Sequence, residues 1–219
     1  MQFYQDLAFA YSASFYTWMT ENPIWRRNSA RLLEGMPLPA ESARVLDLGA
    51  GPGNSALAMA RSHPNAYFLA LDLAYPMLVL AQQRRQADRW AASRLGPLQG
   101  DASRLPLPDA SVDAVTAHSF LYMLPNLREV FSEVYRVVKP GGAVAFMEPL
   151  AGVPDWAWLV RQRSLPFTLS ILLWRIFTRI HRRFTSTELE TTLHEAGFQH
   201  VQTEVTLGGF ALFGRGQKP

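Results

Sequence analysis

A glycine-rich loop directly after a buried strand is the feature that most constrains the fold of this chain. The apolar run Val45-Leu46-Asp47-Leu48 leads into Gly49, Gly51 and Gly53 at alternate positions, and a helical pattern follows. Glycine lets the backbone approach a ligand closely and adopt angles that other residues avoid. The amides at the start of the helix would then point at the polar end of that ligand. Glycine-rich turns also occur without ligands, so the loop alone does not decide whether the chain binds a ligand here.

The residues around this loop predict a parallel α/β sheet. Short apolar runs at 45–48, 67–71, 97–100, 112–115 and 144–147 alternate with helical patterns at 55–62, 76–92 and 127–138. Such alternation favours a parallel sheet with helices on both faces. Pro140-Gly141-Gly142 ends the third of these helices and leads into the fifth strand.

The two ends of the chain have a different character. Residues 1–40 predict a helical cap that ends before Pro37 and Pro39, and its aromatic face consists of Phe3, Leu7, Tyr11, Phe15 and Trp18. Residues 151–184 are irregular and broken by prolines. A helix capped by Thr185 or Ser186 runs to a stop at Gly197, and a hairpin of 201–206 and 210–213 turns at Gly208-Gly209. We expect one domain over 1–219, with its ligand-binding core at 43–149.

Composition excludes several classes of protein. An apolar fraction of 48% and a charged fraction of 18% over 219 residues describe one globular domain. The chain has no cysteine, which removes disulfides, thiolate zinc sites and a catalytic thiol, and we predict no metal site. A net charge of +3 is too small to indicate nucleic acid. The start of the chain does not resemble a signal peptide, and no long uncharged apolar run is present, so the default expectation is a cytoplasmic protein.

Two further strand ends support a ligand site at the glycine loop. Asp72 ends the second apolar run, where a carboxylate can accept from both hydroxyls of a ribose. Gly100-Asp101-Ala102 ends the third run, where an acid and a small residue could meet the amino edge of an adenine. Parallel strands bring these carboxyl ends to one edge of the sheet, which is where open α/β sheets bind ligands.

Taken in order, these motifs resemble class I S-adenosylmethionine (SAM) dependent methyltransferases, especially the branch that modifies quinones, lipids and other small acceptors. The resemblance is carried by Asp47–Gly53, by Leu71-Asp72-Leu73 with Pro76-Met77-Leu78, and by Gly100-Asp101-Ala102. Leu105–Asp109, Ser111-Val112-Asp113, Leu121–Leu124 and Val137–Gly142 complete the set.

The resemblance implies a Rossmann-like sheet of seven strands in the order 3-2-1-4-5-7-6, parallel except for the last strand. It also implies SAM as the cofactor. Asp47, Gly49, Ala50, Gly51, Gly53, Asn54 and His118 would then lie along the methionine part, Asp72 with Leu73 and Met77 along the ribose, and Asp101 with Ala102 along the adenine.

A nicotinamide cofactor is the competing hypothesis, but its fingerprint requires glycine at the sixth position of G-x-G-x-x-G, where this chain has Asn54. Methyltransferases of exocyclic amines in nucleic acids carry an Asn/Asp-Pro-Pro-aromatic turn after the fourth strand. This chain has Ala117-His118-Ser119-Phe120 there. We therefore expect SAM and no nucleic-acid substrate.

The sequence offers few candidates for a general base. Methyl transfer needs one only if the acceptor holds its proton at neutral pH. His118 follows the fourth strand and could serve as a base or simply pack there, while Glu148 ends the fifth strand and could face the acceptor or cap a loop. The family branch often has a histidine where this chain has Met123. Tyr4 and Tyr11 could close over the cofactor or pack in the core.

The segment 151–184 predicts a lid. No acidic residue lies between Asp155 and Glu188, a stretch that contains six arginines and is rich in tryptophan. In this fold the corresponding connection often covers the acceptor pocket. Residues 156–183 could also contact an anionic membrane surface, and contact with nucleic acid or protein is a further alternative. Tryptophans along the path of the acceptor predict an apolar or amphiphilic molecule.

The sequence thus predicts a SAM-dependent methyltransferase of a small hydrophobic or lipid-like acceptor, such as a quinone, isoprenoid, polyketide or lipid headgroup. One alternative is a SAM-binding sensor that transfers no methyl group, since fold does not fix function. Another is a protein at the membrane surface for which the basic segment matters more than the pocket. The sequence gives no oligomeric state.

Overall fold

The computed structural model describes residues 21–87 and 89–219, and its centre is one sheet of seven strands. The strands are β1 (Arg44–Leu48), β2 (Tyr67–Asp72), β3 (Leu95–Gln99), β4 (Val112–His118), β5 (Val138–Pro149), β6 (Gln199–Thr206) and β7 (Ala211–Gln217). Their order is β3-β2-β1-β4-β5-β7-β6. This confirms the predicted sheet.

Strand direction places the glycine loop at the middle of the sheet. β1 pairs in parallel with both β2 and β4, while β7 runs antiparallel to its neighbours β5 and β6. The carboxyl ends of β1, β2 and β4 therefore share one edge. The loop after β1 lies between the segments that follow β2 and β4.

Eight α-helices in the described residues surround this sheet. They are α1 (Pro23–Ala30), α2 (Asn54–Ser62), α3 (Tyr75–Ala87), α4 (Arg89–Ala92), α5 (Leu127–Val137), α6 (Trp156–Arg161), α7 (Leu165–Phe177) and α8 (Ser186–Glu195). None of them is long and apolar enough to cross a membrane.

Two apolar clusters form the core, one on each face of the sheet. Alternate strand residues point to opposite faces, and Val45 belongs to one cluster while its neighbour Leu46 belongs to the other. The Val45 cluster also contains Trp25 of α1 and Ile171 of α7. α5 and α8 pack on the opposite face through residues such as Phe131. α1, which precedes the core strands, and α7, which follows them, thus pack on the same face of the sheet.

The prediction that residues 151–184 are irregular is wrong for 156–161 and 165–177, because both prolines of the segment precede a helix or lie in its first turn. Asp155 follows Pro154 and caps α6 by accepting from the Trp158 amide at 2.9 Å. Ser164 caps α7, and Pro166 lies in its first turn. Proline is tolerated there because the first-turn amides have no partner within the helix.

The other terminal predictions have mixed outcomes. The aromatic face of residues 3–18 lies outside the described residues. Within the described residues the predicted helix up to about residue 35 is confirmed for 23–33, where the extended Asn22 caps α1 and a 3-10 turn follows at Arg31–Leu33. The cap at Thr185 is confirmed, with Glu188 completing a capping box, and the chain turns at Gly208 and Gly209 before β7.

Candidate active site

Backbone conformation and hydrogen bonds to β2 fix the path of the glycine loop. Gly49, Gly51 and Gly53 have φ values of 59°, 54° and 79°, in the left-handed region. The Ala50 amide donates to the Leu71 carbonyl at 3.0 Å. The loop is therefore fixed to the end of the neighbouring strand before it enters α2.

Asp47 lies at the end of β1 and is completely buried. Its carboxylate accepts from the hydroxyl of Ser55 on α2 and from that of Thr116 on β4, the latter at 2.9 Å. Burial raises the pKa of Asp47 to about 6, against the effect of these hydrogen bonds. The side chain therefore ties the loop to its flanking elements.

Asp72 joins β2 to the glycine loop. One carboxylate oxygen accepts from the Gly51 amide at 2.8 Å and the other from the Ala74 amide at 2.9 Å. Burial raises the pKa of this carboxyl above its ordinary value. Of the two residues predicted beside it, Leu73 is 56% exposed and Met77 is buried.

The end of β3 lies next to Asp72. The Gly100 amide donates to the Asp72 carbonyl at 3.1 Å. Asp101 is exposed and accepts from the Ser103 amide and hydroxyl at 2.8 and 2.7 Å, while Ala102 is buried. The residues predicted from three separate strand ends are thus brought to one edge of the sheet.

Asn54, the first residue of α2, accepts through its side-chain oxygen from the guanidinium of Arg84. Arg84 also pairs with Glu21. The bond from Arg84 orients the side-chain amide of Asn54 at the start of α2.

His118 ends β4 beside the glycine loop. With Trp25, Gly49 and Ala50 it lines a cavity of about 20 Å³. Its Nε2 atom is buried and has no hydrogen-bond partner among the described residues. Burial lowers the pKa of the imidazole to about 4, so the ring is neutral at physiological pH. The free nitrogen can accept a hydrogen bond, while the lowered pKa makes the ring a weak base.

Glu148 makes the loop-capping contact. Its buried carboxylate accepts from the backbone amides of Phe120, Leu121 and Tyr122, at 3.0, 2.8 and 3.3 Å. Burial raises the pKa of Glu148 to about 8, although these three bonds act in the opposite direction. The carboxylate of β5 thus fixes the segment that follows His118.

Three aromatic side chains from α1 and α7, which we call the aromatic cluster, pack over this edge: Trp25, Phe167 and Trp174. Trp25 meets the rings of the other two and of His118 edge-on, with centroid distances of 5.4–5.7 Å. Its indole nitrogen donates to Ser170 at 2.7 Å, and that of Trp174 donates to Ser119 at 2.6 Å. The cap and the predicted lid therefore close together over His118.

A larger cavity, of about 860 Å³, lies at the opposite edge of the sheet, among Arg44, Tyr67 and Arg94. These residues are at or near the amino ends of β1, β2 and β3. None of the residues predicted for the site lines it.

Known proteins identify the family. Residues 46–146 match a family model described as a methyltransferase domain. The chain is 32% identical over 206 residues to demethylmenaquinone methyltransferase of Thermus thermophilus. The aligned region covers 89% of this chain and 90% of that protein. This chain belongs to the class I SAM-dependent methyltransferases.

Other relatives bear on the acceptor and the fold. Malonyl-[acyl-carrier protein] O-methyltransferase of Xylella fastidiosa is 33% identical over 135 residues, covering 61% of this chain and 44% of that protein. Phosphoethanolamine N-methyltransferase 2 of Haemonchus contortus, solved with SAM, superposes with a TM-score of 0.73 at 17% identity, covering 96% of this chain and 57% of that one. The similarity to the Haemonchus contortus structure shows that the two chains share a fold.

The methyltransferase is an enzyme that uses SAM and methylates small molecules, which decides against the nicotinamide and sensor hypotheses. Sequence reasoning missed Trp25 and the serines at 119 and 170. The Asn22-Pro23 start of α1 was the available signal for Trp25, because asparagine followed by proline marks the beginning of a helix. The positions of the serines opposite the two indoles depend on tertiary packing and leave no mark in the sequence.

Proposed function

We propose that this methyltransferase acts on an apolar ring of the quinone type, and that the cap and lid hold this acceptor at the edge where His118 lies. The observation that carries the proposal is the aromatic cluster of Trp25, Phe167 and Trp174 over His118. Aromatic walls with a few polar groups suit an apolar ligand. The relatives named for demethylmenaquinone match far more of their own length, 71% and 90%, than the malonyl-[acyl-carrier protein] enzyme does, 44%.

The residues of the glycine loop fit SAM. The loop contains three left-handed glycines, the Asp72 carboxylate lies beside it at the end of β2, and Nε2 of His118 has no hydrogen-bond partner among the described residues. In this proposal Gly49, Gly51 and Gly53 hold the methionine part, Asp72 the ribose, and Asp101 with Ala102 the adenine. The other residues that contact the cofactor in this proposal are Ala50, Asn54, Leu73 and Met77. Asp47 does not contact the cofactor and instead fixes the loop through Ser55 and Thr116.

SAM supplies a methyl group already activated by a sulfonium, so the work left to the chain is to bind, orient and exclude water. We propose that the aromatic cluster excludes water and aligns the acceptor ring. Neutral His118 accepts a hydrogen bond from an acceptor hydroxyl at Nε2. Glu148 positions the loop after β4 and takes no proton from the acceptor.

The test is methyl transfer from radiolabelled SAM by the purified chain, with a demethylated quinol as acceptor, followed by separation into organic and aqueous phases. We expect label in the organic phase, migrating with the methylated quinone. The same assay in a host-cell extract would reveal the natural acceptor. Label in the aqueous phase alone would overturn the apolar acceptor while leaving the enzyme class intact.

A matched pair of variants tests the cofactor assignment. Asp72→Ala removes the carboxylate that accepts from the Gly51 amide, and we expect SAM affinity in calorimetry to fall at least about tenfold, the effect of losing a charge-assisted hydrogen bond. Asp109→Ala is the control, because that carboxylate is exposed and, among the described residues, forms its ion pair with Arg136. Unchanged affinity in Asp72→Ala would remove this residue from the site.

A further inference from the structure

Helix α7 has a second apolar face that the core does not use. Phe167, Ile171 and Trp174 are buried against the Val45 cluster. The opposite side, which we call the outer face, is formed by exposed apolar residues: Leu165, Leu169, Leu172, Leu173 and Ile176. A surface helix of a globular protein ordinarily carries polar residues there.

Exposed apolar residues are concentrated in this segment. Of the sixteen large apolar side chains exposed in the described part of the chain, ten lie between Val153 and Ile180. Ile176 and Ile180 are 67% and 78% exposed. Single exposed apolar residues are normal, but a contiguous patch of this kind indicates an interaction surface.

The charges around the outer face are all positive over this stretch. Arg163 precedes the Ser164 cap of α7 and Arg179 follows the Thr178 cap, so exposed arginines stand beyond both ends of the helix. Neither forms an ion pair within the described residues. The nearest acids in sequence are Asp155, which pairs with Arg161, and Glu188 in the capping box of α8.

The length of α7 fits a helix that lies along a bilayer. Its 13 residues span about 20 Å, less than the roughly 30 Å of a hydrocarbon core. Apolar residues on one side, with arginines at the margins and a half-exposed tryptophan, Trp156, nearby, are typical of helices that lie in the membrane interface.

We propose that the outer face of α7, flanked by Arg163 and Arg179, docks this methyltransferase onto an anionic lipid bilayer. The apolar residues enter the boundary between headgroups and acyl chains, and the arginines contact the acidic headgroups. Docking requires no methyl transfer and stands apart from the identity of the acceptor.

The docking surface continues to the edge of the sheet that carries the site. Phe177, at the end of α7, packs against Tyr122 with ring centroids 6.2 Å apart. Tyr122 belongs to the loop that Glu148 holds after β4. An acceptor dissolved in the bilayer would thus reach the site along Phe177, a consequence that rests on the proposed function.

The experiment is flotation of the full chain with vesicles of phosphatidylcholine, with and without phosphatidylglycerol. We expect flotation only with phosphatidylglycerol and release at raised salt, because salt screens surface charges.

Arg179→Gln should weaken partition about fivefold, whereas Arg128→Gln, at an exposed arginine on α5, should not. Leu165→Ser with Ile176→Ser should weaken it at least about tenfold, whereas Val205→Ser, on the edge strand β6, should not.

Other occupants of the outer face give different results. A dimer in sedimentation that Ile176→Ser dissociates would overturn the proposal in favour of a second copy of this chain. Binding that depends on Arg179 but not on Leu165 and Ile176 would overturn it in favour of an acidic protein. Absence of flotation with phosphatidylglycerol at low salt would overturn the proposal outright.

Methyl transfer to a short-chain, water-soluble quinol separates this inference from the proposed function. We expect the double variant Leu165→Ser with Ile176→Ser to transfer at the wild-type rate to that acceptor while its vesicle binding falls at least about tenfold. A wild-type chain that floats but methylates no quinol would overturn the proposed function and leave the docking surface in place.

Discussion

At the scale of single residues, buried carboxyl groups hold this site together without cationic partners. Asp47, Asp72 and Glu148 accept from hydroxyls or backbone amides, and none of them forms an ion pair within the described residues. A carboxylate that accepts backbone amides fixes the path of a loop. These three residues therefore fix the segments after β1, β2 and β4.

Gly49 shows why a side chain is not accepted in the loop. A Cβ at this position would lie 2.1 Å from Cδ2 of Phe120. We predict that Gly49→Ala lowers SAM affinity at least about tenfold and stability by at least about 1 kcal/mol, because left-handed strain alone costs roughly 1–2 kcal/mol. Calorimetry and urea denaturation measure the two effects.

Gly141→Ala is the matched control for that substitution. Gly141 also has a left-handed φ, 75°, but a Cβ there meets nothing within 4 Å. It should therefore show the backbone strain without the collision with Phe120, and SAM should bind as to the wild type. Equal losses in the two variants would refute the steric argument.

Glu148 predicts a pH dependence of stability. Its pKa is raised from 4.5 to about 8, so folding takes up a proton, and the resulting stabilisation is complete below pH 4.5 and lost as the pH rises through about 8. The pKa of Asp47 is raised only to about 6, and His118 changes charge below pH 6.5, which leaves Glu148 dominant between pH 6.5 and 8.

In that window the free energy of unfolding should fall by up to about 1.4 kcal/mol per pH unit. Glu148→Gln cannot titrate and should show a flatter profile in urea denaturation. Parallel profiles for the two proteins would mean that Glu148 is ionised throughout the window.

The sequence predicted where the site residues lie better than what each of them does. Asp72 and Asp101 could be placed because strand ends in a parallel sheet share an edge. The contacts of Glu148 could not be predicted, since they depend on how a loop 27 residues earlier in the chain folds back over β5. The same holds for Asp47, whose partners come from α2 and β4.

At the scale of elements, a buried hydrogen bond joins the cap to the lid, beside a longer one from Asn22 to Ser164. The indole of Trp25 on α1 donates to the hydroxyl of Ser170 on α7, and both groups are buried. Ser170→Ala leaves the indole N–H unpaired and should cost about 1–3 kcal/mol. Once Trp25→Phe has removed the donor, the serine substitution should cost less.

A double-mutant cycle of these two positions in urea denaturation measures the coupling, expected at about 0.5–3 kcal/mol. Ser111→Ala, which removes an exposed hydroxyl bonded to Pro108, is the reference substitution. Additive effects of Trp25→Phe and Ser170→Ala would mean that α1 and α7 do not depend on each other through this bond.

The elements also show the reach of sequence patterns. The strands and α8 were predictable because apolar periodicity and a capping box are local signals. The lid helices were not, since Pro154 and Pro166 suggest breaks unless the capping roles of Asp155 and Ser164 are known. The apolar outer face of α7 further hides the period of its buried face.

At the scale of the whole molecule, the proposed SAM site exists only in the folded state. Its parts come from the ends of β1, β2, β3 and β4, which only the complete sheet brings together. A ligand of this site must therefore stabilise the fold, by about 2.7 kcal/mol at 100 times its dissociation constant. For a chain of 219 residues that free energy corresponds to a rise in melting temperature of roughly 5–10 °C.

We predict such a rise with SAM in thermal unfolding of the full chain, and none with NADH at the same concentration. Asp72→Ala should lose most of the shift at that SAM concentration, whereas Asp109→Ala, at an exposed carboxylate, should keep it. The shift reports binding alone, so it is independent of which acceptor the enzyme methylates. A rise with SAM that Asp72→Ala retains in full would place the cofactor away from the glycine loop, because Asp72 is the carboxylate that joins this loop to β2.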